Sequence, residues 1–307
     1  MNNTMSAQGG SASGGQKIIP HLWFDKEAKE AAEFYASFFP DSKVTNVTTL
    51  HDTPSGDCDV VSFTLAGQKF MAISAGPLFK LNPSVSFHIK CKTKEEVDMF
   101  WEKLSPGGKV LMELGTYPFS ERYGWLQDKY GVSWQVIHVG DRDMKQKITP
   151  VFMFVQNVSG KAEEAANFYA SVFHNANVDV LSRYGKGEEP EKEGTVRYAS
   201  LTLEGQEFGI MDSAREHKFN FNEAISFIVD CDTQEEIDYY WDKLSAVPES
   251  EQCGWLKDKY GLSWQVSPTD MGEMMKGTPE QVARVTQAFL KMKKFDLAEL
   301  KKARQGS

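Results

Sequence analysis

The feature that most constrains the fold is a long internal repeat. The stretch GWLQDKYGVSWQV at 124–136 returns as GWLKDKYGLSWQV at 254–266, with eleven of thirteen residues identical. Two further blocks recur in the same order: EAAEFYASFF as EAANFYASVF, and KEEVDMFWEKLS as QEEIDYYWDKLS. Because the blocks keep their order, the chain is predicted to hold two copies of one domain, joined near residues 140–147.

Hydrophobic periodicity predicts the elements at the start of each copy. In the first copy, HLWF at 21–24 reads as a strand, and the apolar residues of 31–38 recur at helical spacing. Residues 59–74 alternate on both sides of Ala66–Gly67, which predicts a hairpin. The stretches HDTPSGDCD and YGKGEEPEKEGT are expected to be loops, and the second of these to be solvated.

The order of strand, helix and strands then repeats within the copy. A strand at 84–91 precedes a helix with Thr93 as N-cap and Glu96 completing a capping box. Strands at 109–114 and 131–137 end the copy, so the fold class is α+β. Helices cover one face of such a sheet, and two units can curl together around a pocket. The pattern leaves open whether the cups form within a copy or between copies.

Three blocks carry a resemblance to a known family. They are PHLWFDKEAKEAAEFYASFFPDSKV, FTLAGQKFMAIS and GWLQDKYGVSWQV, which resemble the PhnB-like branch of the vicinal oxygen chelate superfamily, the glyoxalase, bleomycin-resistance and dioxygenase fold. The resemblance covers about residues 17–270 and implies tandem βαβββ modules, two in each domain. The expected organisation is a disordered or tag-like tail at 1–16, PhnB-like domains at 17–140 and 147–270, and a C-terminal helical tail at 271–307. Leu290, Phe295 and Leu297 would dock that tail.

The branch often bears the label 3-demethylubiquinone methyltransferase-like. Binding S-adenosylmethionine in the common way needs a Gly-rich loop between a strand and a helix of a parallel sheet. The glycine pairs at 14–15 and 107–108 lie in the tail and in a turn. We therefore do not expect methyl transfer.

Metal ligands of the superfamily lie on strands that line the cup. The resemblance places them at His21, Ser84 and Gln135 in the first copy. The corresponding residues of the second copy are Val151, Ala224 and Gln265. Hydroxyl and neutral amide groups are weak ligands beside imidazole and carboxylate, so the resemblance supports the fold better than it supports metal catalysis.

A rearranged metal site remains as an alternative. His88 lies four residues beyond Ser84 and therefore on the same strand face. Glu113 lies in a hairpin that is longer in the first copy than in the second. With His21, these residues could form a ligand set for Ni, Zn, Mn or Fe.

The remaining site candidates are aromatic and amide side chains. Trp23 shares a strand face with His21 and is a candidate stacking surface. Gln135 and Gln265 point away from their neighbours Trp134 and Trp264, so the amides could bind a ligand or satisfy buried backbone groups. The other repeated tryptophans are expected to be core residues: Trp101, Trp125, Trp241 and Trp255.

Composition narrows the partners. A net charge of −9 without clusters of Lys and Arg argues against nucleic acid. No stretch approaches the roughly 18 consecutive apolar residues of a membrane helix, so no membrane partner is expected. The four cysteines lack metal-type spacing, which favours reduced thiols and a cytoplasmic location.

Two functions remain open. The first is metal-independent binding or sequestration of a small, partly apolar molecule, with no cofactor expected. The alternative is a metal-dependent lyase, isomerase or dioxygenase-like enzyme that uses the first domain. In both, the chain would form a pseudo-dimer within itself, with a further homodimer open as an alternative.

Overall fold

The computed structural model describes residues 15–53 and 55–306. The predicted tail at 1–16 lies outside these residues, apart from Gly15 and Gln16. Within the two described ranges, no helix is both long enough and apolar enough to cross a membrane. All four cysteines are free.

The elements follow the predicted order. The strands of the first half are β1 (Ile18–Phe24), β2 (Lys43–Thr53), β3 (Gly56–Leu65), β4 (Gln68–Ser74), β5 (Val85–Cys91), β6 (Lys109–Tyr117), β7 (Ser120–Gln127) and β8 (Ser133–His138). The strands of the second half are β9 (Ile148–Phe154), β10 (Asn177–Arg183), β11 (Val196–Leu203), β12 (Gln206–Asp212), β13 (Ile225–Cys231), β14 (Trp255–Lys257) and β15 (Ser263–Pro268). The helices are α1 (Ala28–Ala36), α2 (Lys94–Leu104), α3 (Ala162–Val172), α4 (Gln234–Leu244), α5 (Met271–Met274), α6 (Pro279–Phe289) and α7 (Leu297–Gln305).

The predicted α+β fold class is confirmed, because three modules run strand, helix and three strands in order. The fourth module has only two strands after its helix, β14 and β15. There the backbone N–H groups of Cys253 and Gly254 donate to the carbonyls of Met292 and Lys293. The C-terminal segment thus pairs with the chain where the fourth module lacks a strand.

The two copies share their sheets. One sheet has the strand order β14-β15-β13-β1-β4-β3-β2, and the other has the order β10-β11-β12-β9-β5-β8-β7-β6. The copies join where β1 pairs antiparallel with β13 and where β5 pairs antiparallel with β9. Each sheet therefore combines one module from each copy. Of the two arrangements left open by the sequence, the structure has cups between the copies, which makes the chain an internal pseudo-dimer.

Each sheet is covered by helices on one face. Helices α1 and α4 pack on the seven-stranded sheet, and α2 and α3 pack on the eight-stranded sheet. We call the opposite face of the seven-stranded sheet the first cup, and the opposite face of the eight-stranded sheet the second cup. Strand alternation divides the side chains between them: Leu22 and Phe24 join the core under the helices, while His21 and Trp23 face the first cup.

The repeated stretch is explained by one buried carboxylate in each copy. Asp258 Oδ1 accepts from the backbone N–H groups of Tyr260 and Leu262, and Oδ2 accepts from Trp264 Nε1 and the Tyr169 hydroxyl at 2.8 Å each. The same four bonds recur around Asp128, from Tyr130, Val132, Trp134 and Tyr35. Because Tyr35 lies on α1 and Asp128 lies beside β8, each carboxylate ties a helix of one sheet to a turn of the other.

Several local predictions need correction. The stretch HDTPSGDCD is not a loop, because Leu50 pairs with Cys58 and Thr53 pairs with Gly56 at the end of the β2–β3 hairpin. The predicted N-cap is confirmed, but the Glu96 carboxylate accepts from Lys92 N, one residue before the cap.

The charged stretch YGKGEEPEKEGT is only partly solvated. The Glu191 side chain within it is buried and accepts hydrogen bonds from Ser213 Oγ and from the backbone N–H of Ala214. The expectation of a solvated loop is therefore wrong at Glu191. In the C-terminal tail, Phe295 and Leu297 are buried as predicted, whereas Leu290 is half-buried.

Candidate ligand-binding site

The structure distributes the predicted site residues over different places. His21, Trp23 and Gln265 face the first cup, the first two on the central strand β1 and Gln265 on β15, next to the edge strand of the same sheet. His88 and Gln135 lie on paired strands of the other sheet, opposite each other in register. No single site contains all of them.

Two further candidates, Ser84 and Glu113, lie apart from these residues. Ser84 precedes β5, and its hydroxyl donates to the carbonyl of Asn220 at 3.2 Å. Glu113 is exposed on β6, at the edge of the eight-stranded sheet. Its backbone carbonyl accepts from the Tyr117 hydroxyl.

The rearranged metal site is not assembled in this fold. His21 belongs to the seven-stranded sheet, whereas His88 and Glu113 belong to the eight-stranded sheet. In the part of the chain that the structure describes, no three His, Cys, Asp or Glu side chains are grouped so that they could hold a metal ion. The residues present therefore do not fit the divalent ion of the superfamily enzymes.

The second cup contains a hydrogen-bond network around its glutamine, although the buried Thr149 hydroxyl opposite His88 makes no hydrogen bond to a described residue. The carbonyl oxygen of the Gln135 amide accepts from the Tyr123 hydroxyl at 2.5 Å and lies 2.7 Å from His88 Nε2. Its amide nitrogen donates to Ser86 Oγ at 2.7 Å. Burial lowers the His88 pKa to about 4, so the imidazole is neutral at pH 7 and can donate one proton to this network. These polar groups bond to one another rather than to a ligand.

Two tyrosines fill the space in the second cup. Tyr198 stacks on His88 with ring centroids 5.6 Å apart. A Cβ atom at Gly209 would lie only 2.7 Å from the Tyr198 hydroxyl, so the glycine leaves room for this ring. Tyr123 is buried and packs edge-on against Phe119. The second cup is thus occupied by its own side chains.

The first cup repeats the glutamine but lacks those partners. Gln265 donates to Ser226 Oγ at 2.9 Å, as Gln135 does to Ser86. By the repeat, the places of Tyr123, His88 and Tyr198 are taken by Cys253, Ile228 and Val60. Within residues 15–53 and 55–306, no group donates a hydrogen bond to the side-chain carbonyl oxygen of Gln265. The first cup therefore has smaller side chains at these places, and its glutamine has a free acceptor.

Two buried polar atoms of the first cup have no partner. His21 Nδ1 and Ser263 Oγ are fully buried and make no hydrogen bond to any described residue. His21 is 4% exposed and lies on the central strand, paired with Ser226 on one side and Met71 on the other. Because an unsatisfied buried polar group costs about 1–3 kcal/mol, such atoms are rare unless they have a role.

A tryptophan of the repeat explains why Ser263 is left unpaired. In the second cup, Trp125 Nε1 donates to Ser133 Oγ at 2.8 Å. The equivalent Trp255 instead packs edge-on against His21, with ring centroids 5.4 Å apart. Its indole N–H has no acceptor among the described side chains and backbone groups. Trp255 and the equivalent Trp125 are both only partly buried and lie outside the hydrophobic core, so the expectation that they are core residues is wrong.

Aromatic rings form one wall of the first cup. Trp23 contacts Trp255 at 6.2 Å and Phe79 at 5.0 Å between centroids, and its indole donates to the carbonyl of Gly76. A cleft of about 530 Å³ opens on Trp23 and Phe79 and extends to Tyr130 and Lys129. Trp23 therefore borders both the cup and this cleft.

The buried imidazole predicts a pH dependence of stability. Burial lowers the His21 pKa to about 3 from its ordinary value of 6.5. The unfolded chain thus binds a proton more readily than the folded one, and stability is lost as the pH falls from about 6.5 toward 3. We expect His21→Gln to remove on the order of 2 kcal/mol of the difference between pH 7.5 and pH 4.5 in the free energy of unfolding, measured with urea. An identical pH dependence in wild type and variant would contradict the pKa shift.

The family model described as 3-demethylubiquinone-9 3-methyltransferase matches this chain twice in tandem, at residues 16–137 and 146–267. Together these matches cover most of the sequence. The chain belongs to this PhnB-like family. No curated protein matches it.

Solved structures show the fold of this chain. A PhnB protein from Bacillus cereus, named as a candidate 3-demethylubiquinone-9 3-methyltransferase, is 40% identical over 40% of this chain and 100% of its own, with a TM-score of 0.38. Glyoxalase I from Zea mays is 11% identical over 82% of this chain and 92% of its own, with a TM-score of 0.52. A Bacillus subtilis protein named as a candidate dioxygenase is 10% identical over 95% of this chain and 97% of its own, with a TM-score of 0.50. The last two show that this PhnB-like protein has the vicinal oxygen chelate fold.

Sequence reasoning missed three residues of the first cup. They are Ser226, Trp255 and Ser263. All three lie in or beside repeated blocks, where likeness between the copies suggests a shared structural role. One difference between the copies could have indicated them: Tyr123 of the first copy is replaced by Cys253 in the second copy. Loss of that hydroxyl leaves the glutamine of the first cup without its partner.

Proposed function

We propose that this PhnB-like protein binds a small, partly aromatic molecule in the first cup without a metal ion. His21, Ser226, Ser263 and Gln265 would provide the polar floor, and Trp23 and Trp255 would provide the aromatic wall. Binding sites of this kind are mostly apolar, with a few polar groups that fix orientation. The proposal keeps the family and fold established above and adds the ligand and its site.

One observation carries the proposal. The same glutamine occurs in both cups, yet the second cup satisfies its amide internally, whereas the first cup leaves its carbonyl oxygen free beside two buried orphan atoms. A molecule in the first cup would supply the missing partners. The contrast lies within one chain and one fold, so it does not depend on a likeness to other proteins.

Catalysis through a metal is not part of the proposal. The candidate ligands His21 and His88 lie in different sheets, and Glu113 is exposed at an edge. Methyl transfer also lacks support from a feature of either cup. The proposed activity is therefore reversible binding.

The test is a fragment screen in the presence of a chelator. A set of aromatic fragments is added to the protein in EDTA, and the melting temperature is recorded together with the indole ¹⁵N–¹H NMR signals. We expect some fragments to raise the melting temperature, because a ligand that binds only the native state must stabilise it. Those fragments should shift the Trp23 and Trp255 signals.

The chain offers a matched control for this screen. Trp255→Ala removes the wall of the first cup, and Trp125→Ala removes the equivalent ring of the second cup. We expect Trp255→Ala to weaken fragment binding at least tenfold and Trp125→Ala to leave it within twofold. If no fragment bound, or if both variants lost fragment affinity equally, the proposal would be wrong.

A further inference from the structure

The first cup contains neutral polar groups at its centre. His21 is uncharged at pH 7 because burial disfavours the imidazolium form. The side chains of Ser226, Ser263 and Gln265 are uncharged by nature. Between them they offer acceptors and donors of hydrogen bonds without a formal charge.

The charged side chains on this face lie away from its centre. On β14, the Lys257 ammonium pairs with Glu223 at 2.7 Å. At the other end of the face, Asp230 lies near Lys17 and Lys69, and burial raises its pKa to about 7. Among the described residues, a ligand with its own charge would therefore find no free counter-ion beside His21. Burying an unpaired ion costs several kcal/mol, far more than burying a neutral amide that is hydrogen-bonded.

The orphan atoms define what the ligand should carry. A neutral imidazole has one N–H donor and one bare nitrogen acceptor, and the free oxygen of Gln265 is a second acceptor. A planar group with both an N–H donor and a carbonyl acceptor can satisfy such a pair at once. A primary carboxamide on a ring has this geometry, and the ring would lie against Trp23 and Trp255.

The ring of Trp255 stands between such a ligand and His21. Trp255 packs on His21, which is almost fully buried, so a ligand reaches the imidazole only when the indole moves. The second cup provides the other position, in which the equivalent indole donates to a serine. In the first cup that serine, Ser263, is unpaired. Movement of Trp255 toward Ser263 would satisfy both groups and uncover His21.

From these contacts we infer that the first cup takes an uncharged planar molecule bearing a carboxamide-like edge, and that Trp255 moves onto Ser263 to admit it. This inference rests on the proposed binding function and names its ligand class. The carboxamide N–H donates to the side-chain oxygen of Gln265, and its carbonyl oxygen accepts from the imidazole N–H of His21. Its ring replaces the present contact between Trp255 and His21.

The experiment compares three probes of one shape and different charge: benzamide, benzoate and benzylammonium. Each is titrated into the full-length protein in EDTA at pH 7.5, with ¹⁵N-labelled indoles as the readout. We expect benzamide to bind at least tenfold more tightly than either ion. Gln265→Met should lower the benzamide affinity at least fivefold. The methionine side chain has about the same volume as the partly buried glutamine but lacks its hydrogen-bond acceptor.

Trp255 has its own signature in this experiment. Its indole signal should move on benzamide binding toward the position of the Trp125 signal, since both N–H groups then donate to serine. Ser263→Ala should abolish that movement. A Trp255 signal that responds identically in wild type and Ser263→Ala would overturn the movement.

Failure of the ligand class is distinct from failure of the binding function. If benzoate or benzylammonium bound as tightly as benzamide, with the affinity still lost in Trp255→Ala, the class would be wrong and the cup would remain a binding site. The class would also be wrong if none of the three bound while other fragments did. If no fragment of any kind bound, both proposals would fall.

Discussion

Asp258→Ala is expected to lower the free energy of unfolding by more than about 4 kcal/mol, because it strands four hydrogen-bond donors at once. The carboxylate accepts from two backbone N–H groups of its own turn, from the Trp264 indole and from the Tyr169 hydroxyl. Asp258 is fully buried, so water cannot replace these bonds without entering the core. Urea unfolding at pH 7.5 measures the loss.

A graded series separates the hydrogen bonds from the charge. Asp258→Asn keeps one oxygen for the backbone N–H groups but turns an amide toward the Trp264 indole, so the expected loss is smaller, about 2 kcal/mol. The exposed Asp141 provides the control, since Asp141→Ala should change stability by less than about 0.5 kcal/mol. If Asp258→Ala were as mild as that control, the carboxylate would not hold the turn and helix together.

The equivalent substitution, Asp128→Ala, tests whether the first copy depends on its buried carboxylate in the same way as the second. Asp128 makes the same four bonds, with Tyr35 as the helical partner. Burial raises the pKa of both carboxyl groups, to about 6 for Asp258. Tyr35 and Tyr169 each lie on a helix that covers the opposite sheet, so each carboxylate ties together the two modules of its own copy. The duplicated turn therefore makes the same connection twice.

Sequence patterns predicted the modules well because their causes are local. Apolar spacing at 31–38 indicated α1, and the turn at Ala66–Gly67 joins β3 and β4 with both residues at positive φ. Pairing between modules could not be predicted, because β1 could have paired with β5 of its own copy as well as with β13. Both pairings bury the same strand faces.

The candidate site was only half predictable for a related reason. Strand alternation placed His21, Trp23 and Gln265 toward a cup, but the surroundings of the two histidines depend on neighbours from the other copy. Tyr198 stacks on His88 and Trp255 packs on His21, and both contacts follow from the order of the strands in the sheets. The orientation of Trp255 was also hidden, because an identical residue at Trp125 takes a different partner.

Gly254→Ala is expected to destabilise the protein by about 2–4 kcal/mol, through two effects that act together. The residue has φ of +82°, where a side chain costs about 1 kcal/mol. A Cβ atom there would lie 2.6 Å from the Phe295 ring and 2.9 Å from the carbonyl oxygen of Val266. The ring could shift, but the carbonyl belongs to β15, and overpacking of this kind costs about 1–3 kcal/mol.

Gly261 is the matched control for this prediction. It lies in the same repeated stretch with φ of +86°, yet a Cβ atom there would meet nothing within 4 Å. Gly261→Ala should therefore cost only about 1 kcal/mol, the backbone part of the effect. The difference between the two variants in urea unfolding isolates the contact with Phe295 and Val266.

Because Phe295 belongs to the C-terminal segment, Gly254→Ala should also increase proteolysis after residue 290. Equal stability of the two variants would mean that this segment does not pack on the fourth module.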